Sequence, residues 1–316
     1  MDQAPLVTVI IPSYNSPDLF MTLESVIQQD YPRIQPVLVD DGTKGFSREA
    51  AEDYLRQNQR GNLEHIRVLA NPENRGTVYT MNRALKESLG AYIFNLAGDD
   101  CFYDGHVLSD WVAAFRETGA QVMTAYRCIY DAALEKLISR EPQPKQVRSL
   151  QTRSTRELFE ELGKTNYVFG SCTARTAESF RKYGLYDEGY RLIEDHPTVL
   201  KLLRLGEPIV FFDRTVVKCR TGGSSCAANY NPDYARDVDR ILQVELLPYT
   251  KHPVAMKWAF FQWKREQRIL RKRQRLLTRA GNRRLSILLV GLWYYMHHPI
   301  RILCKLPEKL SAKKGE

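Results

Sequence analysis

The first hundred residues alternate short apolar runs with amphipathic segments, and this pattern restricts the fold more than any other feature of the chain. The runs at 6–13, 36–41, 63–69 and 91–96 are rich in Val, Ile and Leu, which predicts buried strands. The segments between them place apolar residues at helical spacing. Strands that alternate with helices predict an α/β fold with a mostly parallel sheet and helices on both faces.

Polar residues follow three of these runs. The clusters are Ser13-Tyr14-Asn15, Asp40-Asp41-Gly42 and Gly98-Asp99-Asp100. In a mostly parallel sheet, ligands bind at the carboxyl ends of the strands, near a reversal in strand order. We therefore expect the three clusters to lie along one rim and to form a ligand site. The first two clusters also suit ordinary turns, in which Asn, Asp and Gly are common.

Asp99 and Asp100 are adjacent carboxylates at the end of a predicted buried strand. Two such charges are costly to hold together unless a cation or hydrogen-bond donors compensate them. Mg²⁺ or Mn²⁺ bound to a diphosphate does so, because these hard cations take one or two protein carboxylates plus phosphate oxygens. A solvated turn, or a cap for a helix over 103–117, explains the same pair without a metal.

The order of the motifs resembles that of glycosyltransferase family 2, a family of inverting enzymes with the Rossmann-like GT-A fold. The resemblance is closest to bacterial glycosyltransferases that build surface polysaccharides. It covers residues 6–105 well and 166–222 more loosely. The motifs that carry it are Pro12-Ser13-Tyr14-Asn15, VLVDDGT at 37–43, N-x-x-N-R-G at 71–76 and AYIFNLAGDD at 91–100.

The resemblance implies a role for individual residues. Asp41 faces the base of the nucleotide, and Asp99 and Asp100 bind Mg²⁺ or Mn²⁺, with Asp100 as the more direct ligand. Arg220 opens an Arg-x-Gly-Gly segment that resembles a flexible loop near the donor diphosphate, although a plain surface loop fits equally. The residues implied to bind the nucleotide-diphosphate sugar are Pro12, Ser13, Tyr14, Asn15, Asp41, Asn74, Arg75, Gly76, Asp99 and Arg220.

The acceptor side of the reaction requires a base. Inverting substitution at an anomeric carbon removes a proton from the acceptor hydroxyl. Glu194-Asp195 opens a predicted helix over 194–205 and resembles the Glu-Asp base motif of the family, which implies Asp195 as the base with Glu194 beside it. Acidic residues at a helix start also complement the helix dipole without any catalytic role. His196 is a rival base, because imidazole titrates near neutral pH.

The later part of the catalytic region is less regular. We predict a strand at 121–130, a return to the sheet at 166–174, a helix at 176–183 and a strand at 208–218. Residues 131–165 allow no assignment. Within a catalytic domain over 1–250, we expect residues 1–105 to bind the nucleotide sugar and residues 106–250 to bind the acceptor.

The C-terminal part is strongly basic. Residues 251–316 carry a net charge of +14, whereas residues 1–250 carry −5. Ten Lys/Arg occupy positions 264–284, just after Trp258, Phe260, Phe261 and Trp263. Basic residues beside Trp and Phe are typical of a helix on an anionic bilayer. We therefore predict a membrane-associating helical tail over 251–316, with packing on the catalytic domain as the alternative; no module for nucleic-acid binding is recognisable.

The apolar stretch at 285–296, which includes Trp293, Tyr294 and Tyr295, is too short to span a bilayer. The six cysteines are scattered without a C-x-x-C pair or a zinc-ligand spacing, which favours a reducing compartment. The N-terminus does not resemble a signal peptide. Together these features predict a cytoplasmic protein, peripheral on the inner face of the membrane.

The sequence thus predicts a metal-dependent inverting glycosyltransferase that moves a hexosyl or N-acetylhexosaminyl unit to a lipid-linked saccharide or polysaccharide. We expect a UDP-sugar donor, because uracil is the commonest base in the family. Ala97 replaces the first Asp of the family's Leu-Asp-x-Asp-Asp motif, and Met81 replaces a usual Arg. These departures leave a catalytically silent, nucleotide-sugar-binding scaffold subunit as the alternative. A sugar nucleotidyltransferase is less favoured, because no glycine-rich basic loop follows the first strand.

Overall fold

The computed structural model describes residues 3–131, 133–220 and 231–280. The strands are β1 (Val7–Ser13), β2 (Ile34–Asp40), β3 (Arg67–Ala70), β4 (Tyr92–Asn95), β5 (Cys101–Phe102), β6 (Val122–Tyr130), β7 (Leu137–Glu141), β8 (Thr173–Thr176) and β9 (Val210–Arg220). The helices are α1 (Leu19–Ile27), α2 (Arg48–Asn58), α3 (Thr77–Lys86), α4 (Val107–Thr118), α5 (Pro144–Thr152), α6 (Thr155–Leu162), α7 (Ala177–Tyr183), α8 (Asp195–Arg204), α9 (Pro232–Arg240) and α10 (Pro253–Ala280).

The described strands form one sheet in the order β3-β2-β1-β4-β8-β6-β9-β5, with β7 paired to β6. The first four strands of this order are parallel to one another, as predicted. Antiparallel pairs enter at β8, β7 and β5, while β6 and β9 are parallel. The chain adds β2 and β3 on one side of β1 and then crosses to place β4 on the other. The reversal in strand order therefore lies beside the carboxyl end of β1.

Helices cover both faces of the parallel half, because its strands carry apolar side chains on both faces of the sheet. One buried cluster packs Val7, Val9 and Ile11 of β1 against α1, α2 and α4. The other packs Ile10 of β1 with α3, α6 and α8. This two-sided burial confirms the predicted mostly parallel α/β fold flanked by helices.

The predicted strands at 121–130 and 208–218 and the helices at 176–183 and 194–205 are confirmed. The strand predicted at 166–174 is wrong over its first seven residues, because β8 begins only at Thr173. Tyr167 and Val168 are buried, but in a loop that enters the core before a 3-10 turn at Gly170–Cys172. The apolar residues at 167–168 thus indicate burial but not a strand.

The first turns of α10 pack on the preceding part of the structure. Met256 and Phe260 are buried in the hydrophobic cluster that also contains residues of α3, α6 and α8. The ammonium of Lys264 lies 2.7 Å from Oδ1 of Asp239 in α9. The opposite face leaves Trp258 and Phe261 exposed by 63% and 59%. Among the described helices, none is long and apolar enough to cross a membrane. The stretch predicted at 285–296 lies outside the described residues.

Candidate active site

The three polar clusters meet at the carboxyl edge of the sheet, as predicted. The backbone N–H of Asp41 donates to the carbonyl of Ser13 at 2.7 Å, and that of Gly98 donates to the carbonyl of Pro12 at 2.9 Å. A Cβ atom on Gly98 would lie 3.1 Å from the Cβ of Ser13, so the small residue permits the close approach. The ends of β1 and β2 and the turn after β4 therefore form one rim.

The carboxylate of Asp41 organises the N-x-x-N-R-G loop. Its Oδ1 accepts from the side chain of Asn71 at 2.7 Å and from the backbone N–H of Arg75 at 2.9 Å. Its Oδ2 accepts from the backbone N–H of Gly76 at 2.8 Å. A carboxylate oxygen accepts about two hydrogen bonds. The predicted contact between Asp41 and a base thus has only Oδ2 available.

The end of β1 leaves polar groups open at this rim. Tyr14 is 49% exposed, and Asn15 adopts a left-handed backbone conformation with φ of 49°. Asn tolerates this conformation better than most residues. The backbone N–H of Asn15 donates to the hydroxyl of Thr43 at 2.8 Å, which fixes the turn against the segment after β2. The aromatic ring of Tyr14 is therefore presented outward from a held backbone.

Asn74 and Arg75 follow the same rim. The guanidinium of Arg75 is half exposed and lies 4.8 Å from the ring centre of Tyr79. Both oxygens of Asn74 accept from one nitrogen of Arg191, at 2.9 Å for the carbonyl and 2.8 Å for the side chain. Sequence reasoning missed Arg191, because no motif links positions 117 residues apart.

Replacing Gly76 by Ala is expected to disrupt this loop. Gly76 has φ of +92°, and an added Cβ would lie 2.5 Å from the carbonyl oxygen of Arg191. Gly61 is the matched control, because it has φ of +80° with nothing within 4 Å of an added Cβ. Gly61→Ala should cost only the backbone strain of about 1–2 kcal/mol. Thermal unfolding should show a larger loss for Gly76→Ala, and equal losses would contradict the clash.

Asp100 is the more enclosed of the two adjacent acids. It is 8% exposed, and Asp99 is partly exposed. Burial, with the neighbouring charge of Asp99, raises the pKa of Asp100 to about 7. The thiol of Cys219 and the backbone N–H of Arg220 donate to the Asp100 carboxylate and partly offset this effect. The negative charge at this position is therefore incompletely compensated by the protein.

This pair suits a cation that brings its own oxygen ligands. Within the described residues, no group of three His, Cys, Asp or Glu side chains surrounds a common point. A site closed by protein ligands alone is therefore not formed by these residues. Mg²⁺ and Mn²⁺ bind through one or two carboxylates while phosphate oxygens and water complete the shell. Asp99 and Asp100 fit that mode of binding.

Asp195 is the first residue of α8. Its Oδ2 accepts from the backbone N–H of Gly170 at 3.0 Å, and its Oδ1 from that of His196 at 2.6 Å. The same side chain lines a cavity of about 20 Å³ together with Asn95 and Tyr186. Such a volume holds about one water molecule. The carboxylate of Asp195 is thus held by backbone donors and borders a small, partly open cavity.

Glu194 and His196 flank Asp195, and burial shifts the pKa of each of these two neighbours. Burial and the charge of Asp195 raise the pKa of Glu194 above its ordinary value. Burial lowers the pKa of His196, whose Nε2 lies 2.9 Å from the carbonyl oxygen of Leu162. A neutral imidazole that donates from Nε2 is tied to this carbonyl. Of these three residues, Asp195 is the one whose carboxylate is held in a fixed orientation by two backbone N–H groups, as a general base requires.

The 3-10 turn Gly170–Cys172 connects the two acidic centres. Gly170 donates to Asp195, and the hydroxyl of Ser171 lies 3.9 Å from the thiol of Cys219, which in turn contacts Asp100. A Cβ on Gly170 would lie 2.6 Å from Oε1 of Glu194. Asp195 is therefore bonded directly to this short turn, and Asp100 is linked to it through Cys219.

Arg220 also reaches this region. Its guanidinium lies 3.3 Å from Oδ2 of Asp18 and 3.4 Å from the sulfur of Met21, both near the start of α1. Its backbone N–H contacts Asp100. The remainder of the predicted Arg-x-Gly-Gly loop, 221–225, lies outside the described residues. A side-chain contact with a diphosphate remains a prediction.

Glu194→Gln is expected to change how stability depends on pH. The folded protein keeps the Glu194 proton above pH 4.5, where the unfolded chain has lost it. The stability that this group contributes is therefore lost as pH rises through the raised pKa. The variant lacks this titration, so its melting temperature relative to the natural protein should rise between pH 5 and pH 8, by about 2 °C or more. A constant difference would contradict the shift.

A sequence model of the family described as Glycosyl transferase family 2 matches residues 8–184. The "Uncharacterized glycosyltransferase EpsJ" of Bacillus subtilis is 27% identical over 259 residues, which cover 79% of this chain and 72% of EpsJ. The "Putative teichuronic acid biosynthesis glycosyltransferase TuaG" of the same organism is 35% identical over 97 residues, 30% of this chain and 36% of TuaG. The chain is thus similar to a large part of the first and about a third of the second.

Solved structures share the fold. S. aureus TarS 1–349 in complex with UDP-GlcNAc matches with a TM-score of 0.59 and 18% identity, over 94% of this chain and 82% of that one. Mannosyltransferase PcManGT from Pyrobaculum calidifontis, in complex with GDP-Man and Mn²⁺, matches with a TM-score of 0.58 and 16% identity. The match covers 95% of this chain and 83% of that one. The protein is therefore a glycosyltransferase with the GT-A fold. It belongs to glycosyl transferase family 2.

Proposed function

We propose that the protein is a metal-dependent, inverting glycosyltransferase. It transfers a hexosyl or N-acetylhexosaminyl unit from a nucleotide-diphosphate sugar, with a UDP-sugar as the expected donor, to a lipid-linked saccharide or polysaccharide. One observation carries this proposal. The carboxylate of Asp195 and the acidic pair Asp99-Asp100 are linked through the turn Gly170–Cys172 and Cys219, near the edge of the sheet where ligands bind.

Asp195 acts as the general base in the proposed mechanism. It takes the proton of the acceptor hydroxyl while that oxygen attacks the anomeric carbon, and the nucleoside diphosphate leaves from the opposite side. This single displacement inverts the configuration. The two backbone N–H groups that bind Asp195 keep its carboxylate oriented. Glu194 beside it keeps its proton to a higher pH, because burial and Asp195 raise its pKa.

Asp99 and Asp100 would hold Mg²⁺ or Mn²⁺, which stabilises negative charge on the departing diphosphate. Asp41 orders the N-x-x-N-R-G loop by accepting from the backbone N–H groups of Arg75 and Gly76. Its Oδ2 can accept a further hydrogen bond from the nucleotide base. Tyr14 offers an exposed ring beside it. The residues assigned to the donor are Pro12, Ser13, Tyr14, Asn15, Asp41, Asn74, Arg75, Gly76, Asp99 and Arg220. This assignment makes residues 1–105 the donor half and residues 106–250 the acceptor half.

The solved relatives support a nucleotide-diphosphate sugar as donor. TarS is described in complex with UDP-GlcNAc, and PcManGT in complex with GDP-Man and Mn²⁺. Both ligands contain a nucleoside diphosphate joined to a sugar, although the bases and sugars differ. The nucleotide and the sugar of this protein therefore need a direct measurement.

The experiment is release of free nucleoside diphosphate from a panel of UDP-, GDP- and dTDP-sugars, with and without Mn²⁺ or Mg²⁺. Turnover of one donor that stops on addition of a chelator would support the enzyme and identify the sugar. Binding of a nucleoside diphosphate without turnover, in the presence of candidate lipid-linked acceptors, would favour the scaffold subunit instead. Binding of no nucleotide by calorimetry would contradict both.

We also propose that residues 251–316 associate with an anionic membrane surface, which suits a lipid-linked acceptor and an enzyme peripheral on the inner, cytoplasmic face of the membrane. In α10, one face packs on the body through Met256 and Phe260. The other exposes Val254, Trp258 and Phe261 at helical spacing, next to basic residues that include Lys257 and Arg265. Aromatic residues beside lysine and arginine favour the bilayer interface.

The double variant Trp258→Ala/Phe261→Ala is expected to weaken binding to vesicles that contain phosphatidylglycerol by about tenfold or more, because two apolar side chains lose their burial. Sedimentation with vesicles measures this at low and high salt. Phe20→Ala is the matched control, because Phe20 is a 45% exposed aromatic residue on α1. Equal binding of both variants and the natural protein would contradict a role for this face of α10.

A further inference from the structure

Arg191 lies between the donor-side loop and α9, in the segment that leads into α8. Its guanidinium is about one-third exposed. On the donor side, Nη2 donates to both oxygens of Asn74, at 2.9 and 2.8 Å. The carbonyl oxygen of Arg191 accepts from the backbone N–H of Val78 in the first turn of α3, at 3.1 Å. Arg191 is thus bound to the loop and to the helix that follows it.

The other side of Arg191 faces α9. Its Nε lies 3.1 Å from Oδ2 of Asp233. Oδ2 of Asp237 accepts from three consecutive backbone N–H groups, those of Arg191 at 2.9 Å, Leu192 at 2.6 Å and Ile193 at 3.2 Å. Asp237 is fully buried. A buried carboxylate that accepts several backbone donors forms strong hydrogen bonds and is costly to leave unpaired.

These contacts have a consequence for the residues that come next in the chain. The backbone of 191–193 is held from the donor side and from α9, and Glu194 and Asp195 follow immediately. We propose that Arg191 is a positioning residue that, with Asp237, fixes the general base Asp195 relative to the donor-binding loop. This inference rests on the proposed function, because it presumes that Asp195 is the base.

The proposed positioning role requires two different nitrogens of the Arg191 guanidinium. Nη2 and Nε point to partners on two different elements, Asn74 and Asp233. Lysine carries the charge as a single ammonium and cannot reproduce both directions. Displacement of a catalytic group by about 1 Å can cost about a hundredfold in rate. A loosened link should therefore lower turnover more than it lowers donor affinity.

The test compares Arg191→Met, Arg191→Lys and Asp237→Asn in metal-dependent turnover of the preferred donor, with affinity for the nucleoside diphosphate measured by calorimetry. Arg33→Met is the matched control, because Arg33 donates to Glu64 from two nitrogens and to Ala4 at the opposite edge of the sheet. We expect kcat to fall by about tenfold or more in Arg191→Met and by less in Arg191→Lys. The nucleotide affinity should change less than kcat, and Arg33→Met should keep both.

A double variant, Arg191→Met/Asp237→Asn, shows whether the two residues act as one unit. Its kcat should be no lower than that of the more impaired single variant, since contacts that act together are not additive. Normal kcat in Arg191→Met and Asp237→Asn, in a protein that needs Asp195, would overturn the inference and leave the proposed function intact. Multiplied losses in the double variant would also overturn it. Full activity of Asp195→Asn would overturn both proposals.

Discussion

Asp195→Asn is expected to lower kcat by about a thousandfold while leaving affinity for the nucleoside diphosphate unchanged. General base catalysis contributes about 10²–10⁴-fold in enzymes. An amide keeps the size of the side chain, and its oxygen can still accept from the backbone N–H of Gly170, although the hydrogen bond from the backbone N–H of His196 is lost. It cannot take a proton at neutral pH. The fall in kcat should therefore lie in the chemical step rather than in donor binding.

The measurement is transfer to the acceptor at saturating donor, with calorimetry of the diphosphate on the same preparation. Asp213→Asn is a control carboxylate, exposed on β9, and should retain activity. His196→Gln tests the rival base. The glutamine amide can still donate to the carbonyl of Leu162, as Nε2 of His196 does, but cannot act as a base. Loss of transfer in His196→Gln with normal transfer in Asp195→Asn would reverse the assignment.

The parallel half of the fold was predictable because one strong regularity governs it. β2 is buried along its whole length and β1 at all positions except Pro12, so most residues in both strands are apolar up to the polar end. The carboxyl ends of parallel strands necessarily share an edge. The meeting of Ser13, Asp41 and Gly98 followed from this geometry, without knowledge of any side-chain contact.

Residues 106–250 were harder to predict because their strands pair in both directions and two of them are short. β7 and β8 have five and four residues, and the loop before β8 buries Tyr167 and Val168 without pairing them. The helix α6 carries a recognisable start, since Ser154 and Glu157 form a capping box. That signal was present in the sequence and went unused.

Contacts distant in sequence account for the rest. Arg191 meets Asn74 across 117 positions, and Asp237 meets the backbone of 191–193 across about 45. No local pattern encodes these distances. The structure also refines the expectation for Asp41, whose carboxylate accepts three hydrogen bonds from within the protein. A single sequence identifies the type of residue at such a site more readily than its partners.

Asp100→Asn is expected to lower metal-dependent turnover by about a hundredfold or more. Asp100 is buried beside Asp99, and its raised pKa of about 7 reflects a negative charge that the protein incompletely compensates. A divalent cation held by Asp99 and Asp100 would supply that compensation and would stabilise the departing diphosphate. The amide removes the charge, so the cation loses its more enclosed ligand. The folded protein should be at least as stable, because a strained buried charge is gone.

Calorimetry of UDP with and without Mn²⁺ separates this effect from loss of folding. The natural protein should bind UDP more tightly when Mn²⁺ is present, and Asp100→Asn should lose this difference while it keeps its melting temperature. Asp110 lies on the adjacent helix α4 and is paired with Arg214 of β9. The control variant Asp110→Asn should therefore keep the tighter UDP binding in the presence of Mn²⁺. An Asp100→Asn protein with full metal-dependent turnover would exclude Asp100 as the ligand. Because Ala97 stands where the family often has an acid, such a result would direct the search for ligands to Asp99 and to groups outside the acidic pair.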